Sequence, residues 1–324
     1  MSETQFAVLG AGAMGTIVGA HLARAGHSVV MLVRERRAQQ IQSDGLRLKG
    51  LADFAVQVRT VTRPEELRSA EVLVVTTKAI GTAAALAPLK NASIGAALSI
   101  QNGVMKNELL ASALPRTHIL GALANFSGEL QPSGEVLFTR NVNLMLGELD
   151  DTLTPRATDL AQTIDASGVR STAVNNIRSQ EWSKFTGWVG LVALSVTTRA
   201  HTWKYLVDPG AALVLVRLVK EVGTLAKACG VQLTDEAMFP VATMFAMSER
   251  AAIDVVRGLG DGYRKNSPSH KMSTLQDLEA HRPLELQETI GYAVQKAQQL
   301  NLTLPLLEAT YGLVSAVAHS QTAT

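Results

Sequence analysis

The sequence holds a single cysteine, Cys229, so no intrachain disulfide can form, which fits a reducing compartment. Net charge is nearly absent: 30 Lys and Arg against 28 Asp and Glu leave +2, too little to argue for nucleic acid or a membrane surface as partner. The only dense basic patch, Arg34-Glu35-Arg36-Arg37, carries an acid within it. Long apolar runs are missing too; the stretch 189–196 falls far short of the ~20 residues a membrane span needs. The first residues, Met1-Ser2-Glu3-Thr4-Gln5, have neither the basic nor the apolar region of a signal peptide. His21, His27, His118, His201 and His319 show no metal-ligand spacing, and no serine or cysteine nucleophile arrangement stands out. Repeats and low-complexity tracts are lacking. A soluble, cytoplasmic protein without a metal is therefore expected.

What is present is a globular composition, 47% hydrophobic and 18% charged, over 324 residues, a length comfortable for two domains. The first half alternates short apolar runs with helical stretches. Strands are expected at 6–9, 28–33, 72–77 and 97–100, and a helix at 16–25 stopped by Gly26. Continuous apolar strands separated by helices imply a parallel sheet covered on both faces. From 122 to 147, turn signals at Pro132-Ser133-Gly134 and alternating stretches suggest antiparallel strands at a sheet edge, with 169–174 as the last strand. Beyond Asn175, residues 179–198, 211–229, 234–258 and 283–300 read as helices. The fold class expected is thus an α/β Rossmann-type domain over 1–174 and an all-α domain over 175–324. The Gly- and Ser-rich stretch 258–274 reads as a long loop and hence a lid candidate.

Gly10-Ala11-Gly12-Ala13-Met14-Gly15 follows the first strand and opens the first helix. Gly10 permits a tight turn, Gly12 lets backbone approach a pyrophosphate, and Gly15 lets the helix pack on the strand. With Ala13 and Met14 at the helix N-terminus, free N–H groups and a partial positive charge face the phosphates. After the second strand comes Arg34, suited to the 2′-phosphate of NADP, where an acid would take the ribose hydroxyls of NAD. Glu35 complicates that reading, and Arg36 and Arg37 read more simply as a solvated helix face. Lys78 and Asn102 stand at the ends of two further strands, where open parallel sheets bind ligands.

Two longer segments add specificity: Asn175-Asn176-Ile177-Arg178-Ser179-Gln180-Glu181-Trp182-Ser183-Lys184, and Leu275-Gln276-Asp277-Leu278-Glu279-Ala280-His281-Arg282-Pro283-Leu284-Glu285. With the glycine motif, Lys78 and Asn102-Gly103, they resemble the ketopantoate reductase (2-dehydropantoate 2-reductase) family over nearly the whole chain. The resemblance implies a Rossmann domain joined to a helical one, NADPH as donor and a 2-oxo acid as acceptor, held in a cleft between domains that close on binding. It implies a catalytic lysine at Lys184, an acidic substrate-binding partner at Glu285, and an asparagine beside nicotinamide and substrate at Asn102. It further implies a cofactor-side lysine at Lys78, a serine meeting the substrate carboxylate at Ser273, and Arg34 on the NADP phosphate. Elementary chemistry agrees: reducing a ketone builds negative charge on oxygen, which an ammonium both stabilises and quenches with a proton.

The chain departs from the family along one helix face. Lys184, Trp188 and Val192 are four apart. The family typically has lysine and two asparagines on that stripe; here Trp188 and Val192 have lost the amides. Ketopantoate carries a hydroxyl that such a pocket would no longer satisfy. A substrate with an apolar or aromatic side group is therefore expected, the rival reading being that Trp188 simply packs in the core. His270 and His281 read as solvated. Other carbonyl or imine reduction, and a non-catalytic NADPH sensor, are the competing functions. The partner expected is a small molecule, and a homodimer is possible.

Overall fold

A computed structural model of the chain describes residues 5–236 and 239–322. The chain divides into two compact units, Met1–Arg178 and Ser179–Thr324.

The first unit is built on one sheet of strands β1 (Phe6–Leu9), β2 (Val29–Leu32), β3 (Leu46–Gly50), β4 (Phe54–Val56), β5 (Arg59–Val61), β6 (Ser69–Val75), β7 (Ser93–Ser99), β8 (Ile119–Leu130), β9 (Val136–Glu148) and β10 (Ser171–Ala173). Its helices are α1 (Ala13–Arg24), α2 (Glu35–Asp44), α3 (Thr82–Leu86), α4 (Lys106–Ala111) and α5 (Pro155–Ser167). The strand order is β4-β3-β9-β8-β7-β6-β1-β2-β5, with β10 also on β9. From β5 to β8 every pairing is parallel, and the chain order reverses at β1, between β2 and β6. This is the doubly wound topology, whose crevice opens at the carboxyl ends of the strands flanking the reversal.

Alternation along β1 explains the two layers. Phe6 and Val8 pack with Ile17, Val18 and Leu22 of α1 on one face. Ala7 and Leu9 pack with Leu86, Leu109 and Leu110 on the other. Both faces are dry, so the central strands are apolar throughout, as their unbroken hydrophobic runs require.

β8 and β9 form the expected antiparallel pair, but not at the edge: β3 and β4 continue the sheet beyond β9. The mixed sequences of β3 and β5 and the three-residue length of β4 lack the longer apolar run that marked the central strands.

The second unit is helical: α6 (Ile177–Thr198), α7 (Thr202–Val207), α8 (Pro209–Ala228), α9 (Val241–Ala246), α10 (Glu249–Asn266), α11 (Ser273–Glu279), α12 (Tyr292–Gln299) and α13 (Pro305–Thr322), with a π-helical turn at Gln287–Gly291. Helix starts follow capping chemistry. Asp208 accepts from the Ala211 amide at 2.8 Å with Pro209 as first helical residue, and Ser248 caps α10.

Three expectations are corrected here. The single helix expected over 234–258 is two helices, α9 and α10, separated at Met247-Ser248 where Ser248 starts a new cap. The helix expected over 283–300 is irregular to Glu285 and regular only in α12. The lid expected over 258–274 is instead the C-terminal half of α10, a short turn and the start of α11. One of its glycines is a packing device: a Cβ on Gly260 would lie 2.8–2.9 Å from Leu206 and Val207, so glycine lets α10 approach α7, whereas a Cβ on Gly258 or Gly262 would meet nothing within 4 Å. His270, read as solvated, ties that turn down, its Nδ1 lying 2.9 Å from Thr202 Oγ1 while its carbonyl accepts from the Thr202 amide. No helix among the described residues is long and apolar enough to cross a membrane.

Candidate active site

The glycine turn sits between β1 and α1, at the topological reversal. Gly10 has φ 101°, a left-handed conformation that a side chain would strain. A Cβ on Gly15 would collide with the Gly10 carbonyl oxygen and with Thr76 Oγ1, so only glycine lets α1 come this close to the sheet. Gly12 is the opposite case: it is exposed, and a Cβ there would meet nothing within 4 Å. The open space lies directly before Ala13, Met14 and Gly15, the first turn of α1, which has neither a side-chain cap nor an acid. Backbone donors and the positive end of a helix dipole thus face a place that no protein atom fills, a fit for a dinucleotide's pyrophosphate.

Three cations follow β2. Arg34 is exposed and is the N-cap residue of α2; Arg36 is also exposed. Arg37, expected on a solvated face, is half-buried and braces the glycine turn. Its guanidinium donates to the Ala11 carbonyl (3.1 Å), Thr16 Oγ1 (3.1 Å), the Gly134 carbonyl (2.8 Å) and Gln40 Oε1 (2.7 Å). The Ala11 carbonyl, which also accepts from Thr16 Oγ1 at 3.4 Å, lies within reach of the first turn of α2, and Arg37, the fifth residue after β2, reaches back to it.

Lys78 and Asn102 follow the neighbouring strands β6 and β7, so they stand along the same carboxyl edge as the glycine turn. A residue not singled out from sequence joins their loops. Gln101 is buried (6% exposed), and its amide donates to the Thr77 carbonyl (2.9 Å), Thr77 Oγ1 (3.2 Å) and Thr82 Oγ1 (2.7 Å), while accepting from Ser99 Oγ at 3.0 Å. Thr77 and Gln101 immediately precede Lys78 and Asn102. Thr76 fastens the other side, its hydroxyl donating to the Gly10 carbonyl at 2.9 Å. Glycine turn, Lys78 loop and Asn102 loop are thereby one hydrogen-bonded edge. A glutamine before Asn-Gly gives no signal of its own in the sequence, because its role depends on which oxygens the folded loops present to it.

In the second unit, Lys184 lies on α6, a helix buried on nearly every side from Trp182 to Val196, and it is the only half-exposed residue of that stretch. Trp188 (8% exposed) stacks on Phe185, ring centroids 6.3 Å apart and 25° from parallel, and Phe185 meets Trp182 edge-on at 6.0 Å. Val192 is fully buried. Glu285 is half-buried in the irregular segment before the π-helical turn, and Ser273 is the exposed first residue of α11.

Comparison with known proteins follows the same division of the chain. The family described as ketopantoate reductase PanE/ApbA matches residues 6–151, and its C-terminal counterpart matches 176–318. A 2-dehydropantoate 2-reductase of Archaeoglobus fulgidus is 26% identical over 310 residues, covering 96% of both chains. Among solved structures, a PanE/ApbA family ketopantoate reductase from Ralstonia eutropha JMP134 superposes with a TM-score of 0.83 at 26% identity, covering 98% of this chain and 99% of that one. A D-mandelate dehydrogenase, solved with NADH and anilino(oxo)acetate, shares the fold at TM-score 0.82 and 20% identity, covering 98% and 99%.

Proposed function

This chain belongs to the ketopantoate reductase family, and from that premise we propose that it reduces a 2-oxo acid to the 2-hydroxy acid with NADPH as electron donor. The observation that carries the reading is the glycine turn, with its uncapped helix end and open space at Gly12, fused by hydrogen bonds to the loops of Lys78 and Asn102. The relatives' name, 2-dehydropantoate 2-reductase, supports the reaction class.

Gly10, Gly12, Ala13, Met14 and Gly15 would hold the pyrophosphate, Arg34 the 2′-phosphate, and Lys78 the cofactor's nicotinamide side. When bound, reduced nicotinamide supplies a hydride to the carbonyl carbon. Lys184 then gives a proton from Nζ to the carbonyl oxygen, and its charge stabilises the negative charge that builds there. Asn102 orients the reacting groups through its amide. Glu285, the acidic partner at the substrate, balances the ammonium and can accept from the hydroxyl that forms in the product, and the Ser273 hydroxyl donates to the substrate carboxylate. Removing the proton donor, Lys184→Ala, should lower kcat by roughly 10²–10⁴ while NADPH still binds, the scale of a lost general acid. Stopped-flow reduction beside a fluorescence titration of NADPH measures both, and undiminished turnover would refute the assignment.

The sequence carries the reading of the substrate. Trp188 and Val192, both buried in α6, give the Lys184 stripe no hydrogen-bonding amide, which favours a 2-oxo acid with an apolar or aromatic side group over ketopantoate. The kcat/KM for phenylpyruvate is then expected to exceed that for ketopantoate; the reverse order would make ketopantoate the substrate.

A further inference from the structure

The second unit contains a cavity of about 550 Å³ that the proposed reaction does not use. It lies between the segment after α11 and helix α13. Its apolar wall includes Leu284 and Leu286, and His281, Arg282, Tyr311 and His319 bring polar groups to it. Among the described residues, no carboxylate lines it. The volume suits a small organic ligand. Leu284 and Leu286 flank Glu285, which is not among the lining residues, so the cavity lies behind that segment.

Several locally unfavourable features meet here. His281 has φ 52° just past the end of α11, a left-handed position where glycine would cost least, and its amide closes that end by donating to the Leu278 carbonyl. Gly312 lies inside α13, where glycine weakens a helix, and a Cβ there would meet nothing within 4 Å. The neighbouring turn Gln287–Gly291 is π-helical, a rare form concentrated at functional sites. Tyr311 packs its ring 3.0 Å from where a Gly291 Cβ would stand and donates its hydroxyl to Gln287. An imidazole is kept where backbone strain opposes it, and a side chain is omitted where it would fill the space. Both choices sacrifice stability, and both leave an open, donor-rimmed cavity. Arg282 donates from Nε to Asp277 at 2.7 Å, which holds its guanidinium at the rim beside His281.

We propose that this cavity is a binding site for a small carboxylic acid with an apolar body, separate from the substrate site at Lys184. The donors at the rim take the carboxylate and Leu284 and Leu286 take the body. Occupancy bears on the segment that carries Glu285 and so tunes turnover. That consequence rests on the function proposed above; the binding itself does not.

The test uses the full-length protein with phenylacetate as probe and phenylacetamide as its uncharged counterpart, followed by calorimetry. Two variants are chosen because neither should harm folding: His281→Gly relieves the strained backbone, and Gly312→Phe fills the cavity from a helical position. Wild type should bind phenylacetate about tenfold or more tightly than the amide, the worth of one charge-assisted hydrogen bond. His281→Gly should melt at the same or a higher temperature yet bind about tenfold more weakly, and Gly312→Phe should not bind. Phenylacetate should change the kcat of wild type and leave that of Gly312→Phe unaltered. Equal binding by all three proteins, or equal affinity for acid and amide, would overturn the proposal. So would a change of sedimentation coefficient in Gly312→Phe, which would show a second copy of the chain to be the cavity's occupant.

Discussion

Gln101 has one amide group that holds three oxygens on a neighbouring loop, and no polar surface of its own to spare. Replacing it by alanine would leave the Thr77 carbonyl and Thr82 hydroxyl short of a donor, at a cost of about 1–3 kcal/mol. Gln101→Glu keeps the shape and loses the donor. Both variants should raise the KM for NADPH and lower kcat, with Gln101→Glu affecting kinetics more than melting temperature. A purely structural glutamine would instead move melting and leave the kinetics of the folded fraction unchanged. Steady-state assays beside thermal melts separate the two. The glycines show how unevenly single residues can be read from sequence. The roles of Gly10, Gly12 and Gly15 follow from their spacing, because a strand–turn–helix leaves only one arrangement for them. The brace from Arg37 and the latch from Gln101 depend on which carbonyls the folded turn leaves open, and no residue pattern announces that.

At the scale of elements, α1 is fixed at its far end as well as at the glycine turn. His21, near the C-terminal end of α1, is buried between Phe54 and Phe138, both edge-on, with Nδ1 3.0 Å from the Ser167 carbonyl at the end of α5. Burial pushes its pKa below the ordinary imidazole value, opposed by the hydrogen bond to Ser167 and helped by the nearby Arg24. The unfolded chain takes up a proton near the ordinary value of about 6.5, while the folded chain resists it. Stability should therefore fall as pH drops through that value. Chemical denaturation at pH 7.5 and 5.5 should show lower stability at 5.5, and His21→Gln should shrink the difference. Elements with an unbroken apolar run or a plain start or stop signal, such as β1, α1, α6 and α8, are legible in the sequence. Those of mixed polarity were not. The glycines of α10 mimic a loop, and for Gly260 the reason, close contact with α7, lies in another part of the chain. The strands β3 to β5 are short and half-exposed, so pairing within the sheet, and not their own pattern, makes them strands.

For the molecule as a whole, cofactor binding is linked to folding, since a dinucleotide held by a preformed turn binds the folded chain alone. At a hundredfold excess over Kd, NADPH should add about 2.7 kcal/mol of stability. NADH at the same concentration should add less, and Arg34→Glu should narrow or reverse the order; differential scanning fluorimetry reads both. An unchanged preference in that variant would move the 2′-phosphate contact away from Arg34. The arrangement of strands gives this prediction its footing, for the order β5-β2-β1-β6-β7-β8 puts the glycine turn, Lys78 and Asn102 on one edge. The sequence by itself determined the fold class, a parallel sheet followed by helices, together with the glycine turn and the family, because hydrophobic period and short-range turn chemistry are local properties of the chain. Tertiary structure alone decided that β8 and β9 lie inside the sheet, that the expected lid is largely helix, that Gln101 and Arg37 fasten the site, and that His281 and Gly312 line one cavity. Each of those depends on contacts between residues distant in the chain, and such contacts exist only once the backbone has folded.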